Sequence, residues 1–274
     1  QEGWGTVPFR GRRPARPGCR TGVSRATPFF DLLHYPSPMY GISTYALNTH
    51  PLTEALEMIS GLTGYAEVMD EGCHFLESPE PLQSYSLRYS IHAPSRSVNI
   101  ASTLEPIRKA SVEVIDDCFA IAAEVGADVV IHPGYFAWEA DIPRARRQFH
   151  RSIEELSGMA QERSIRYYVE NMAWEYFLLR TPEELPLPEG PGFALDVGHA
   201  HIMGCLPLFL KERIDHFHLH DNDGRSDTHQ AVGAGTIDFA AVMEAVGMSG
   251  LDPVIEVGSI EGAIESLIVL GQIC

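Results

Sequence analysis

The run Phe193-Ala-Leu-Asp-Val-Gly-His-Ala-His201 ends an apolar segment in Asp196, and His199 follows three residues later at a glycine turn. The same event recurs along the chain. His92 follows Leu87-Arg-Tyr-Ser-Ile, His132 follows Ala127-Asp-Val-Val-Ile, and Glu170 follows Ile165-Arg-Tyr-Tyr-Val. His218 closes Ile214-Asp-His-Phe-His, and Glu256 follows Pro253-Val-Ile. Imidazoles and carboxylates without thiolates are ligands for Zn, Mn, Mg or Co. Six short apolar runs that each deliver such a group at the carboxyl end predict one shared site. Gathering Glu170, Asp196, His199, His218 and Glu256 without cations would leave like charges desolvated, at several kcal/mol each.

The polar loop Asp221-Asn-Asp-Gly-Arg-Ser-Asp-Thr-His229 adds a second candidate. Asp227 and His229 are two apart, so in an extended loop they share a face and can chelate one ion. Gly233-Ala-Gly235 follows and reads in two ways: close backbone approach to a ligand, or a tight loop into the next helix. His216, His218 and His220 alternate and therefore point to one side of their strand. His216 is expected deeper, in the core or supporting a ligand, and His220 near the rim. His201 is a further supporting candidate.

These residues need elements to position them. A first strand is expected over Tyr40–Ala46, a helix over Pro51–Leu62 and a second strand over Tyr65–Met69. The crossover Asp70–Ser86 contains Pro79 and Pro81 and has room for only a short helix. Strands follow at Leu87–His92, Ala127–His132, Ile165–Glu170, Gly192–Asp196, Ile214–Leu219 and Pro253–Glu256. Helices are expected over Leu104–Val125, Ile142–Arg163, Phe239–Val246 and Ile260–Ile273. Eight strands alternating with helices predict a single-domain (β/α)8 TIM barrel, whose site lies at the carboxyl ends of its strands. Solenoid-type repeats are absent from the sequence.

The first 38 residues read differently. Their six arginines against two acids give +4, which leaves −21 on residues 39–274. This basic, Pro/Arg-rich segment is expected to be an accessory, flexible extension, with an Arg-rich transit peptide as the alternative. The barrel would start at Met39 and run over 39–274. Five scattered cysteines without a CxxC pair argue against a disulfide framework and for a reducing, cytoplasmic compartment. No apolar run approaches the length of a membrane span. The acidic barrel should repel a polyanion, which disfavours duplex DNA as a partner.

Ile91-His-Ala-Pro, Val130-Ile-His-Pro-Gly, Val169-Glu-Asn, Leu195-Asp-Val-Gly-His-Ala, His218-Leu-His-Asp and Ile255-Glu together resemble the xylose-isomerase-like TIM barrels over about residues 40–272. That superfamily holds sugar isomerases and epimerases and the endonuclease IV branch. In the epimerase branch, the resemblance implies metal ligation by Glu170, Asp196, His218 and Glu256. Glu170 and Glu256 would double as the acid–base pair, and His199 would position the substrate. In the endonuclease IV branch it implies a trinuclear zinc cluster on His92, His132, Glu170, Asp196, His199, His218, Asp227, His229 and Glu256. All nine positions carry the expected residue types. One to three divalent ions (Zn, Mn, Mg or Co) per chain are therefore expected.

The loops depart from the nuclease pattern: the one after strand two, from Asp70, is acidic and Pro-rich, and Pro94-Ser-Arg-Ser and Arg225 offer few cations. They fit a small sugar or sugar phosphate better than a duplex. Arg225, Trp138 and Trp174 are the expected substrate contacts. With Tyr135 and Phe136, the tryptophans would wall a sugar ring, ordinary loop packing being the alternative. The leading expectation is a sugar or sugar-phosphate isomerase or epimerase; the alternative is a multinuclear zinc phosphoesterase such as an abasic-site nuclease.

Overall fold

The computed structural model describes residues 38–273. The expected extension therefore lies, except for Pro38, outside the described residues. Eight strands occupy β1 (Gly41–Ser43), β2 (Tyr65–Met69), β3 (Arg88–His92), β4 (Asp128–Ile131), β5 (Tyr167–Glu170), β6 (Gly192–Asp196), β7 (His216–Leu219) and β8 (Val254–Ile255). Each pairs in parallel with its chain neighbours, and β8 closes on β1. The (β/α)8 barrel is thus the fold.

Alternation along the strands divides the molecule chemically. Outward residues such as Ile91, Val129, Ile131, Val169, Leu195, Phe217 and Ile255 join the main core beneath the helices. Val130, Tyr168 and Ala194 form a separate small cluster. One step of two residues beyond each lies a charged or metal-type group: His132, Glu170 and Asp196. The same two-residue step links Ser90 to His92 and His216 to His218. The barrel register thereby stacks a polar upper layer on a mixed lower one.

Helices α1 (Leu52–Ser60), α3 (Glu105–Val125), α4 (Ile142–Arg163), α7 (Phe239–Ser249) and α8 (Ile260–Ile273) lie where the apolar periodicity puts them, and α2 (Glu80–Gln83) is the short helix of the proline-containing crossover. Helix α3 stops at Gly126, which takes φ 67° and closes the helix in the left-handed conformation.

Two local readings change. The first strand ends at Ser43 rather than Ala46, because the Ser43 hydroxyl accepts from Tyr45 N and starts a 3-10 turn over Thr44–Leu47. The turn after Asp196 is a short helix, α5 (Val197–Ile202), followed by α6 (Leu206–Phe209). Both are too short to carry a helical period. Asp196 caps α5 by accepting from His199 N at 2.6 Å. Gly198 is required inside α5 because a Cβ there would collide with the His220 ring.

Candidate metal centre

The mouth of the barrel collects the predicted ligands into overlapping groups. His92, His132 and Glu170 form one; Glu170, Asp196, His218 and Glu256 form a second; His199, His220, Asp227 and His229 form a third. Within each group, one ligand atom per residue lies within 4.8 Å of the others. Glu170 belongs to two groups. Its Oε2 is 3.3 Å from His92 Nε2 and 3.2 Å from His132 Nε2, while its Oε1 is 3.3 Å from His199 Nδ1 and 3.4 Å from His218 Nδ1. Glu256 Oε2 reaches the same His218 Nδ1 at 3.3 Å. Asp227 Oδ2 lies 3.3 Å from His199 Nε2 and 3.2 Å from His229 Nε2.

All nine residues converge, by two different devices. Those from β3, β5, β6 and β7 are buried on the strands, with His132 and Glu256 one residue past β4 and β8. His199 is carried by α5. Asp227 and His229 sit on the loop after β7, and that loop is not extended at His229, which takes φ 44°. The loop is anchored by Asp221, whose carboxylate accepts from the backbone of Asn222, Gly233, Gly235 and Ile237 at 2.8–3.1 Å. Gly233 and Gly235 therefore approach a carboxylate of the protein itself, and the tight-loop reading holds.

Electrostatics set the charge state of this cluster. Burial pushes the Glu170 carboxyl up, but His218, His132 and His199 outweigh it and hold it well below the ordinary range. Asp196 is likewise held low against burial by His199 and His220, and Asp227 by His199 and His229. Burial opposes the imidazolium forms, yet Glu170 raises His92 to about 9 and Asp227 raises His229 to about 9. His132 is the exception, pushed down by burial despite Glu170. Protonated imidazoles thus balance the carboxylates here, the task that divalent cations perform when bound. Asp227 Oδ1 is buried without a hydrogen-bond partner, and the oxygen and imidazole donors suit Zn, Mn, Mg or Co. The residues fit a metal centre.

Three further histidines find partners. His216 lies deeper, as expected, stacked on Tyr168 and 3.0 Å from Glu67 Oε2. His220 is fully buried rather than at the rim: its Nε2 lies 3.0 and 3.1 Å from the two Asp196 oxygens, and it joins the third group. His201 bonds Thr236 Oγ1 at 2.8 Å and braces the loop after β7.

The aromatic residues divide. Trp174 packs on His199 with ring centres 5.3 Å apart, and Phe177 bridges Trp174, Tyr135 and His132. Trp138 is 74% exposed, whereas Phe136 is buried in the main core and leaves the expected wall. Arg225 is exposed beside Asp223. Arg96, in the loop after β3, is paired with Glu71 at 3.7 Å.

The sequence reading missed Glu67, Phe177 and Tyr45, whose ring lies 4.9 Å from His229. For Glu67 the signal was a lone charge inside the apolar strand Tyr65-Ala-Glu-Val-Met. Phe177 and Tyr45 carried none, because only the fold brings their loops to the mouth.

A family model described as the xylose isomerase-like TIM barrel matches residues 77–267. The chain belongs to this family. Uncharacterized protein MJ1614 of Methanocaldococcus jannaschii is 33% identical over 198 residues, covering 69% of this chain and 78% of the relative. A probable endonuclease 4 of Mycobacterium leprae is 26% identical, over 64% of this chain and 75% of that protein. The crystal structure of a D-tagatose 3-epimerase-like protein superposes with a TM-score of 0.79 at 29% identity, covering 86% of this chain and 96% of that one. The matches thus include one protein named as a probable endonuclease and one named as epimerase-like. Among the described residues, no helix is long and apolar enough to cross a membrane.

Proposed function

We propose that the protein is a divalent-metal-dependent sugar or sugar-phosphate isomerase or epimerase, with Glu170 and Glu256 as its proton-transferring pair. One observation carries the reading: two glutamates three strands apart around the barrel both reach His218 Nδ1, at 3.4 and 3.3 Å. A small substrate at that point can be addressed by carboxylates from two directions. A cation held by Glu170, Asp196, His218 and Glu256 would polarise the substrate carbonyl and acidify the neighbouring C–H. Glu256 belongs to one ligand group and Glu170 to two, so Glu256 is the less committed carboxylate. It is assigned removal of the proton from that carbon, and Glu170, ionised at rest, delivers a different proton that it first takes up from solvent. His199, held by Asn171 O at 2.9 Å and by Asp227, positions the substrate oxygens. Trp174 and Trp138 provide the apolar side of the mouth, and Arg225 the exposed cation available to a phosphate.

The D-tagatose 3-epimerase-like neighbour supports this reading. So does charge, since the barrel portion carries −21 and Arg96 is already paired. The second reading, a multinuclear zinc phosphoesterase acting on abasic sites, draws on the three ligand groups that share or adjoin Glu170 and on the endonuclease 4 relative. One experiment separates them. Metal-loaded protein is incubated in D2O with a panel of ketohexoses and ketose phosphates, and in parallel with an abasic-site duplex. Deuterium incorporation next to the carbonyl, without strand incision, is expected. Robust incision with no exchange would overturn the sugar assignment.

A further inference from the structure

Beneath the metal centre, the barrel lumen holds a carboxylate that the proposed chemistry does not use. Glu67 on β2, Ser90 on β3 and His216 and His218 on β7 are all buried. Glu67 Oε2 accepts from Ser90 Oγ at 2.7 Å and lies 3.0 Å from His216 Nε2. Its Oε1 pairs with His218 Nε2 at 2.8 Å; the contact lies off the hydrogen-bond angle, and neither buried atom has a hydrogen-bond partner elsewhere. The opposite ring nitrogen, Nδ1, faces Glu170 and Glu256. His218 thus stands between two carboxylate environments, one on each nitrogen.

An ionised carboxylate in a barrel lumen is costly to desolvate unless its partners compensate. Here the compensation comes from the Ser90 hydroxyl and the two imidazoles, at 2.7–3.0 Å. A neutral imidazole can present a lone pair on only one nitrogen, and the hydrogen bond made by the other decides which. A proton on Nε2 is the one that can pair with the Glu67 carboxylate at 2.8 Å, and it leaves the lone pair on Nδ1, on the side of Glu170 and Glu256. We infer that Glu67 is a positioning residue for the metal centre: it fixes the tautomer and ring orientation of His218, and His216 and Ser90 fix Glu67.

The spacing favours this over a further ion bound by Glu67, His216 and His218. Ligands on a tetrahedral cation at about 2.0–2.1 Å stand roughly 3.3 Å or more apart. The 2.8 Å between Glu67 Oε1 and His218 Nε2 is instead a hydrogen-bond length. Removing such a partner typically weakens metal binding by about 10–100-fold.

The inference rests on the metal-bearing reading of the mouth but on no particular substrate, so its test uses the metal alone. Mn2+ or Co2+ affinity is measured by competition with a chromophoric chelator for the parent, Glu67→Gln and Glu67→Ala. Far-UV circular dichroism checks that each is folded. The expected result is a graded loss, about tenfold for Gln and larger for Ala, with an unchanged number of ions per chain. Lower thermal stability with affinity within twofold of the parent would mean a merely structural role and would overturn the inference. Loss of one whole ion per chain would make Glu67 a ligand and overturn it too. Should neither variant fold, nitrogen-resolved histidine NMR of the metal-loaded parent decides, with His218 protonated on Nε2 expected and protonation on Nδ1 contradicting it. A parent inactive on every sugar, yet with Glu67-dependent affinity, leaves this inference standing and removes only the sugar assignment.

Discussion

The strand-borne and the loop-borne candidate ligands of the mouth are held in place by different physics. Asp196 and His218 pair in register on β6 and β7, and Glu170 is offset from Asp196 by the stagger of β5 against β6. Their positions are fixed by the backbone ladder of the barrel, and moving one requires moving a strand. Asp227 and His229 depend instead on a loop whose fixed point is the Asp221 carboxylate and the four backbone N–H groups it accepts. Strand tips give a fold its capacity for metal chemistry, and loops decide which chemistry it runs. Glu170, Asp196, His218 and Glu256 on the strand tips serve both readings of this protein, whereas Asp227 and His229 on the loop, with His92 and His132, serve as ligands in the multinuclear reading alone.

The largest expected effect falls on the strand set. Glu256→Gln should lower turnover by roughly 10²–10⁴-fold while leaving the circular dichroism spectrum intact. Near-normal activity would remove Glu256 from the proton-transferring pair.

Protonation touches both sets at once, because His92 on β3 and His229 on the loop are each raised from 6.5 to about 9. A folded-state value above the unfolded one stabilises fully below pH 6.5 and is lost as the pH rises through about 9. Chelator-treated protein should therefore lose thermal stability across that window, by a few kcal/mol in all. Bound cations require the same imidazoles to be deprotonated, so metal affinity should rise over the window and the decline should flatten in metal-loaded protein. A Tm of the stripped protein that climbs from pH 6.5 to 9 would contradict this charge balance.

Asp221→Asn isolates the loop set. Weakening its four backbone contacts should cost about 2–3 kcal/mol, seen as a Tm lower by roughly 4–12 °C. The alignment of Asp227 with His199 should loosen with it, whereas the strand-borne group should still bind its ion. The smallest effect is expected at the aromatic wall: Trp174→Ala removes packing of about 0.5–1.5 kcal/mol, to be read as a KM increase with kcat nearly unchanged. A fall in kcat with constant KM would instead assign Trp174 to the orientation of His199.

The same contrast explains what was legible in the sequence. Strand tips announced themselves, because a short apolar run that ends in His, Asp or Glu is visible residue by residue; β2, β6, α4 and α8 lie where the pattern puts them. Helices α5 and α6 were hidden because six and four residues cannot show a 3.6-residue period. His220 looked like a rim residue by counting two beyond His218, but α5 folds back over it and buries it, with Gly198 making room. Glu67 was overlooked because a lone charge inside a strand has no partner in the linear sequence: Ser90, His216 and His218 are brought to it only by barrel closure. Phe136 and Phe177 exchanged roles for a similar reason, since the backbone bridge between Tyr135 and Phe177 decides which ring faces the mouth.

Metal content measured across three proteins tests the central claim most directly: the parent, His218→Asn, and the double variant Asp227→Asn/His229→Ala, each loaded with divalent cation and then freed of excess. The account predicts at least one tightly held ion per parent chain, lost in His218→Asn and retained in the loop double variant. A parent that holds no more metal than His218→Asn would contradict it, because the strand tips would then converge without forming a cation site.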